Sequence, residues 1–277
     1  MSDWKVTISG EADTASITDI TNYVSTILLP FSAIDEFYNT RNELLAPITP
    51  GFATNNPRVS ALVLVGLISA TENYFRNIFA EMIKICPISK KNTAEKSVNL
   101  ATTWFGYKNL EKGAFENSSF SDYKVVKNNL NNIFGINIEQ GANQIQAPLL
   151  QFQKLCEMRH AIVHSSGNIT GKNAVKLNLP SSPNEARITV QFAELQEAAD
   201  ICTSLVRAAN AEIYIKMSRR WMHDWPKLPT FNPANSNKLF KRLWKSLFSQ
   251  IDFNTSQITN PLTETRARNL IRRTNAM

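Results

Sequence analysis

From Pro57 to Cys86 the chain reads PRVSALVLVGLISATENYFRNIFAEMIKIC, and no other stretch restricts the fold as strongly. Asn56 and Pro57 have the chemistry of an N-cap and a first-turn proline, and Pro87 stops what they begin. The spacing predicts one long helix. Its first half is apolar on nearly every side, so no face can be left to water, and the rest of the protein must pack around it.

The remaining sequence supplies the packing partners. SAIDEFYNTRNELLA sets Ile34, Phe37, Leu44 and Leu45 on a common side, and Pro47 and Pro50 end it. Further helices are expected in TAEKSVNLATTWF from Thr93, in SDYKVVKNNLNNIF up to Gly135, and in PLLQFQKLCEMRHAIVH from Pro148 to just before Gly167. AVKLNL and RITVQF alternate apolar and polar residues across a Pro/Ser segment, which reads as a small β-hairpin. FAELQEAADICTSLVRAANAEIYIKM follows as a long amphipathic helix, with Leu195, Ala198, Ala199, Cys202, Leu205 and Val206 in phase. Pro226, Pro229 and Pro233 mark a connector. It leads to NKLFKRLWKSLFSQ, where Leu239, Phe240, Leu243, Trp244, Leu247 and Phe248 oppose Lys238, Lys241, Arg242 and Lys245, and then to a basic TRARNLIRR. The expected class is all-α: a helical bundle with a hairpin insertion and additional C-terminal helices. Its parts are an N-terminal lead and helix (1–56), a helical domain (57–218) and a basic extension (219–277).

Charge is unevenly spread. Residues 1–150 hold 12 basic and 14 acidic side chains, residues 151–277 hold 18 and 9, and residues 216–277 alone hold 12 and 3. So dense a polycation attracts phosphate backbones first and anionic membrane surfaces second. No apolar run reaches the length of a membrane span, and the N-terminus lacks a basic-then-apolar leader. Cys86, Cys156 and Cys202 are odd in number and far apart, which fits a reduced, cytoplasmic setting.

Two of the three histidines lie in EMRHAIVHSSG, residues 157–167. His160 and His164 are one helical turn apart and in line with Cys156, a possible three-ligand metal face. Nothing nearby in sequence offers a fourth ligand or a catalytic carboxylate, and Cys156 is more simply a small core residue. His164 has a bland role available as well, since imidazolium suits a helix C-terminus. That role leaves Arg159 unexplained: a guanidinium among Leu149, Leu150, Phe152, Leu155 and Met158 costs free energy unless an anion meets it.

Arg159-His160-Ala161-Ile162-Val163-His164 resembles the R-x4-H motif of HEPN domains, in which Asn, Asp or His commonly follows the arginine. The upstream helix resembles that family's first long helix, with Glu72, Tyr74 and Arg76 at the positions of its acidic, aromatic and basic residues. The resemblance covers roughly residues 57 to 218. It implies a HEPN-like bundle, a homodimer in which two motifs face each other, and a metal-independent endoribonuclease of the prokaryotic toxin or antiphage type, with an antitoxin or other regulatory partner as a candidate.

The chemistry can be followed from the residues. On an ideal helix Arg159 and His164 stand about 140° apart, so one motif converges poorly on a single phosphate, whereas two copies across a symmetric interface can surround one. In RNA the nucleophile is already tethered: the 2′-hydroxyl attacks its own phosphate, leaving a 2′,3′-cyclic phosphate and a 5′-hydroxyl. An imidazole titrating near neutrality can move the protons, the role expected of His164, and Arg159 can stabilise the phosphorane-like charge. No metal or cofactor is required. His160 could orient His164 or contact phosphate. Glu72 is a candidate to fix the direction of Arg159, and Ser165, Ser166 and Asn168 to donate to phosphate or to form the exit turn. Arg219, Arg220, Lys241, Arg242 and Lys245 are expected to hold an RNA backbone, tRNA being a candidate substrate, and Trp221, Trp225 and Trp244 to pack in the core or stack on bases. The alternatives are a HEPN-like module that binds RNA or protein without cleaving, and an effector whose amphipathic 239–248 stripe lies on a membrane.

Overall fold

The structure, a computed structural model, describes residues 15–25, 32–104, 110–140 and 144–274. The chain divides into Met1–Pro30 and Phe31–Met277. In the first unit Asp19 caps a single 3₁₀ turn, Ile20–Tyr23, by accepting from the Thr21 amide at 2.9 Å.

The second unit is built on helices throughout. The Pro57–Ile85 stretch is one helix, α3, with α1 (Ala33–Leu45) and α2 (Pro50–Asn55) before it. Asn56 sits at its N-cap position but makes no capping bond there; its amide donates instead to Phe52 O at 3.1 Å and closes α2. Leu64, Leu67, Ile68, Phe75, Ile78 and Phe79 of α3 are almost wholly buried. The covering layer is α1, α8 (Gln146–His164), α10 (Phe192–Arg219) and α11 (Ser236–Leu247). Toward the C-terminal half of α3, Phe75 and Phe79 join Phe115, Phe120 and Phe134 in an aromatic cluster with ring centroids 5.4 to 6.1 Å apart. Each of these rings contributes roughly 1.5–3 kcal/mol through burial.

Two expected elements are replaced. The helix from Thr93 does not form, because the Thr93 hydroxyl donates back to Ser89 O at 2.9 Å and so closes α4 (Pro87–Asn92) instead of opening a new helix. Only α5 (Ala101–Trp104) follows, with Trp104 91% exposed; Phe105 at the end of the expected helix lies outside the described residues. Next come α6 (Leu110–Gly113) and α7 (Tyr123–Asn129), the latter running into a π turn, Leu130–Phe134.

The hairpin is absent too. Gly171–Lys176 is a helix, α9, and the described residues contain one isolated antiparallel bridge, Asn168 to Arg187. A two-residue period specifies a strand only if one side is buried, and Val175 is 80% exposed. Thr170 caps α9, and Lys176 ties it to Glu157 of α8 at 2.5 Å.

Beyond α10, the Pro-marked connector is partly regular: Arg220–Asp224 is a π turn and Trp225–Lys227 a 3₁₀ turn, and they bury Trp221 and Trp225. In α11, Phe240, Leu243 and Leu247 of the apolar stripe face the core, while Leu239, Trp244 and the following Phe248 are half-buried. α12 (Gln250–Asn254) docks on α1: buried Asp35 accepts from the Ser249 hydroxyl at 2.6 Å and from the Gln250 amide at 2.9 Å. Beside it, Arg207 bonds Tyr38 Oη at 2.6 Å and Asp252 at 2.5 Å. Finally α13 (Glu264–Thr274) is held by Arg272, which donates to Asn237 and lies 5.2 Å from the Trp221 ring centroid. No described helix is long and apolar enough to cross a membrane.

Candidate active site at the end of α8

Leu149, Phe152, Leu155 and Cys156 fasten α8 to the core, and Ala161 buries one residue of its last turn. The exit is a fixed turn rather than a fray. Ser165 and Gly167 both donate to Ala161 O, at 3.0 and 2.9 Å, while Ser166 and Gly167 take successive left-handed conformations, φ 51° and 88°. A strap from the segment before α10 holds this turn: Ile188 N donates to Gly167 O, Ile169 N donates to Ala186 O, and Arg187 Nε donates to Asn168 Oδ1 at 3.0 Å. Two ordered sides therefore set the position of His164.

His160 and His164 are both exposed, with ring centroids 4.6 Å apart and planes inclined by 49°. Arg159 is half-buried. Its Nε is shielded from solvent, and the guanidinium makes no hydrogen bond or ion pair with any described residue. A shielded N–H without an acceptor costs about 1–3 kcal/mol, so an anion arriving at this position would relieve the deficit.

Glu72 does not provide that anion. Its carboxylate accepts from the Ser121 amide at 2.9 Å and lies beyond ion-pair distance from Arg159. The expected pairing is therefore corrected: a backbone donor in the 115–122 turn captures Glu72 first. Both side chains still act on Cys156, whose thiol is pushed far up by burial and further by Glu72, with Arg159 opposing. Buried and protonated, Cys156 is a poor companion for exposed His160 and His164 in a metal face. No group of three or more His, Cys, Asp or Glu among the described residues is placed to hold a metal ion.

The accessory and basic residues separate by burial. Asn168 spends its carbonyl oxygen on Arg187, whereas the Ser165 hydroxyl, half-buried beside His164, bonds no described residue. Arg219, Lys241, Arg242 and Lys245 are exposed. Arg220 is not, and its expected contact with RNA is corrected: at 6% exposure it donates to the Ser89 hydroxyl at 3.0 Å and to the carbonyls of Ile133 and Phe134 at 2.9 and 2.7 Å. Trp221 and Trp225 are core residues, and half-buried Trp244 stacks on Phe248. Arg76 is structural, directed at the carbonyls of Phe115 and Ser118. The left-handed pair Ser166 and Gly167 and the strap at 186–188 escaped the sequence reading; the Gly after Ser-Ser was the one local signal for them.

Comparison with family models, with curated proteins and with solved structures finds no match to the chain.

Proposed function

We propose that residues 57–218 form a HEPN-like bundle and that the protein is a metal-independent endoribonuclease acting as a homodimer. The observation carrying this reading is Arg159, a half-buried guanidinium with a shielded, unpartnered Nε, on the same helix end as two exposed imidazoles, an end fixed by its exit turn. An unmet donor on a helix end that also carries two exposed imidazoles suits a phosphodiester better than it suits a structural helix end.

In this mechanism His164 takes the 2′-hydroxyl proton as the oxygen attacks phosphorus. The P–O5′ bond breaks, and the leaving oxygen receives a proton from an imidazole, that of the second subunit or His160. Arg159 offsets the charge on the phosphorane oxygens. Arg219, Lys241, Arg242 and Lys245 hold the strand through its phosphates. The physiological role proposed with this activity is that of a cytoplasmic toxin or antiphage effector held in check by an antitoxin or regulatory partner.

The test is incubation of the purified chain with total tRNA in excess chelator, followed by analysis of the RNA ends. Cyclic phosphate and 5′-hydroxyl termini are expected. His164→Ala should lower the rate by about 10²- to 10⁴-fold and Arg159→Ala by a comparable factor. Undiminished cleavage by both folded variants would refute the site. RNA binding without cleavage by the unaltered chain would assign the motif to a non-catalytic module.

A further inference from the structure

A cleft of about 310 Å³ lies between α10, the α11–α12 corner and the segment joining α12 to α13. Its volume is at the lower end of small-molecule sites. Tyr214, Trp244 and Phe248 form an aromatic wall, with Trp244 and Phe248 stacked at 5.0 Å and Tyr214 edge-on to Trp244 at 6.0 Å; Leu262 also lines the cleft. These faces are apolar and preformed. No described residue fills what they enclose.

The polar edge indicates what would fill it. Arg207 and Asp252 both line the cleft and neutralise each other at 2.5 Å, so neither a cation nor an anion finds an uncompensated partner there. Arg207 spends Nε on Tyr38 and Nη2 on Asp252, while Nη1 donates to no described residue. The cleft beside Trp225 differs: it is lined by Lys238 and Arg242 with no acidic residue, a setting for an anion. We propose that the α10–α12 cleft is a binding site for an uncharged, largely apolar aromatic molecule carrying one hydrogen-bond acceptor, its rings against Trp244 and its acceptor on Arg207. This site is separate from the α8 motif, and the inference does not rest on nuclease activity.

The probe is prodan, an uncharged naphthyl ketone, titrated into the full chain without RNA. Its emission should shift to the blue and saturate at one molecule per chain. A naphthalene sulfonate of the same ring size should bind at least tenfold more weakly. Ala211→Trp, which fills the rim of the cleft from an exposed position on α10, should weaken prodan at least tenfold with an unchanged melting midpoint; if that variant fails to fold, Ala211→Leu makes the same test. Three results would overturn the proposal: no saturable binding, equal affinity for the folded Ala211 variant, or equal affinity for the sulfonate. Cleavage of tRNA is scored separately, so either reading can fail alone.

Discussion

Arg219 and Arg220 follow one another at the end of α10, and burial alone gives them different roles. Three oxygens, from Ser89, Ile133 and Phe134, surround the Arg220 guanidinium, while Arg219 is in water. Arg220→Ala would take the donor from the buried Phe134 carbonyl, leave the Ile133 carbonyl to the Ser89 hydroxyl alone and open a cavity, a loss of about 3 kcal/mol or more in urea denaturation, against a change within about 0.5 kcal/mol for Arg219→Ala. A sequence of consecutive basic residues carries no sign of this difference. Arg159 stands out in the sequence because its neighbours in the helix are apolar; the oxygens that hold Arg220 come from residues 89–134 and so from another part of the chain. Glu72 was misread for a related reason, since its true partner, the Ser121 amide, is a backbone group with no residue type to flag it.

At the scale of elements, periodicity was read correctly where a buried face backs it and misread where none does. The 57–85 and 192–219 helices bury an entire face or more, so pattern and packing agree. AVKLNL and the Thr93 segment bury little, and there local hydrogen bonds decided the outcome: Thr170 caps α9, and Thr93 closes α4. The α8 exit is the element on which the candidate site depends. Gly167 stands at φ 88°, and a Cβ there would lie 3.2 Å from Arg187 Cγ. Gly167→Ala should therefore cost roughly 1–2 kcal/mol in thermal melting, and by loosening the turn should lower RNA cleavage more than RNA binding. Equal loss of both would mean that the turn does not position His164.

At the scale of the whole molecule, the thiols make stability depend on alkaline pH. Burial pushes Cys202 up to about 12 and moves Cys156 in the same direction, whereas both titrate near 8.5 in an unfolded chain. Between those values the folded protein keeps protons that the unfolded chain releases, so stability is complete below about pH 8.5 and falls as pH rises toward 12. Each such thiol contributes about 1.4 kcal/mol per pH unit within that window. Cys202→Ala should flatten the slope by that amount in urea titrations run from pH 8.5 upward; an unchanged slope would exclude the buried thiol as its source.

Among the described residues, the carboxylate of Asp35 near the start of the compact unit accepts from Ser249 and the amides of Gln250 and Ile251, more than two hundred residues away. On a ribosome, α1 would wait for more than two hundred further residues before its buried acid found these partners. A polypeptide cut short of residue 249 would leave that carboxyl without these donors and the first helix loosely held. Arrival of residues 249–251 thus precedes the settling of the first helix.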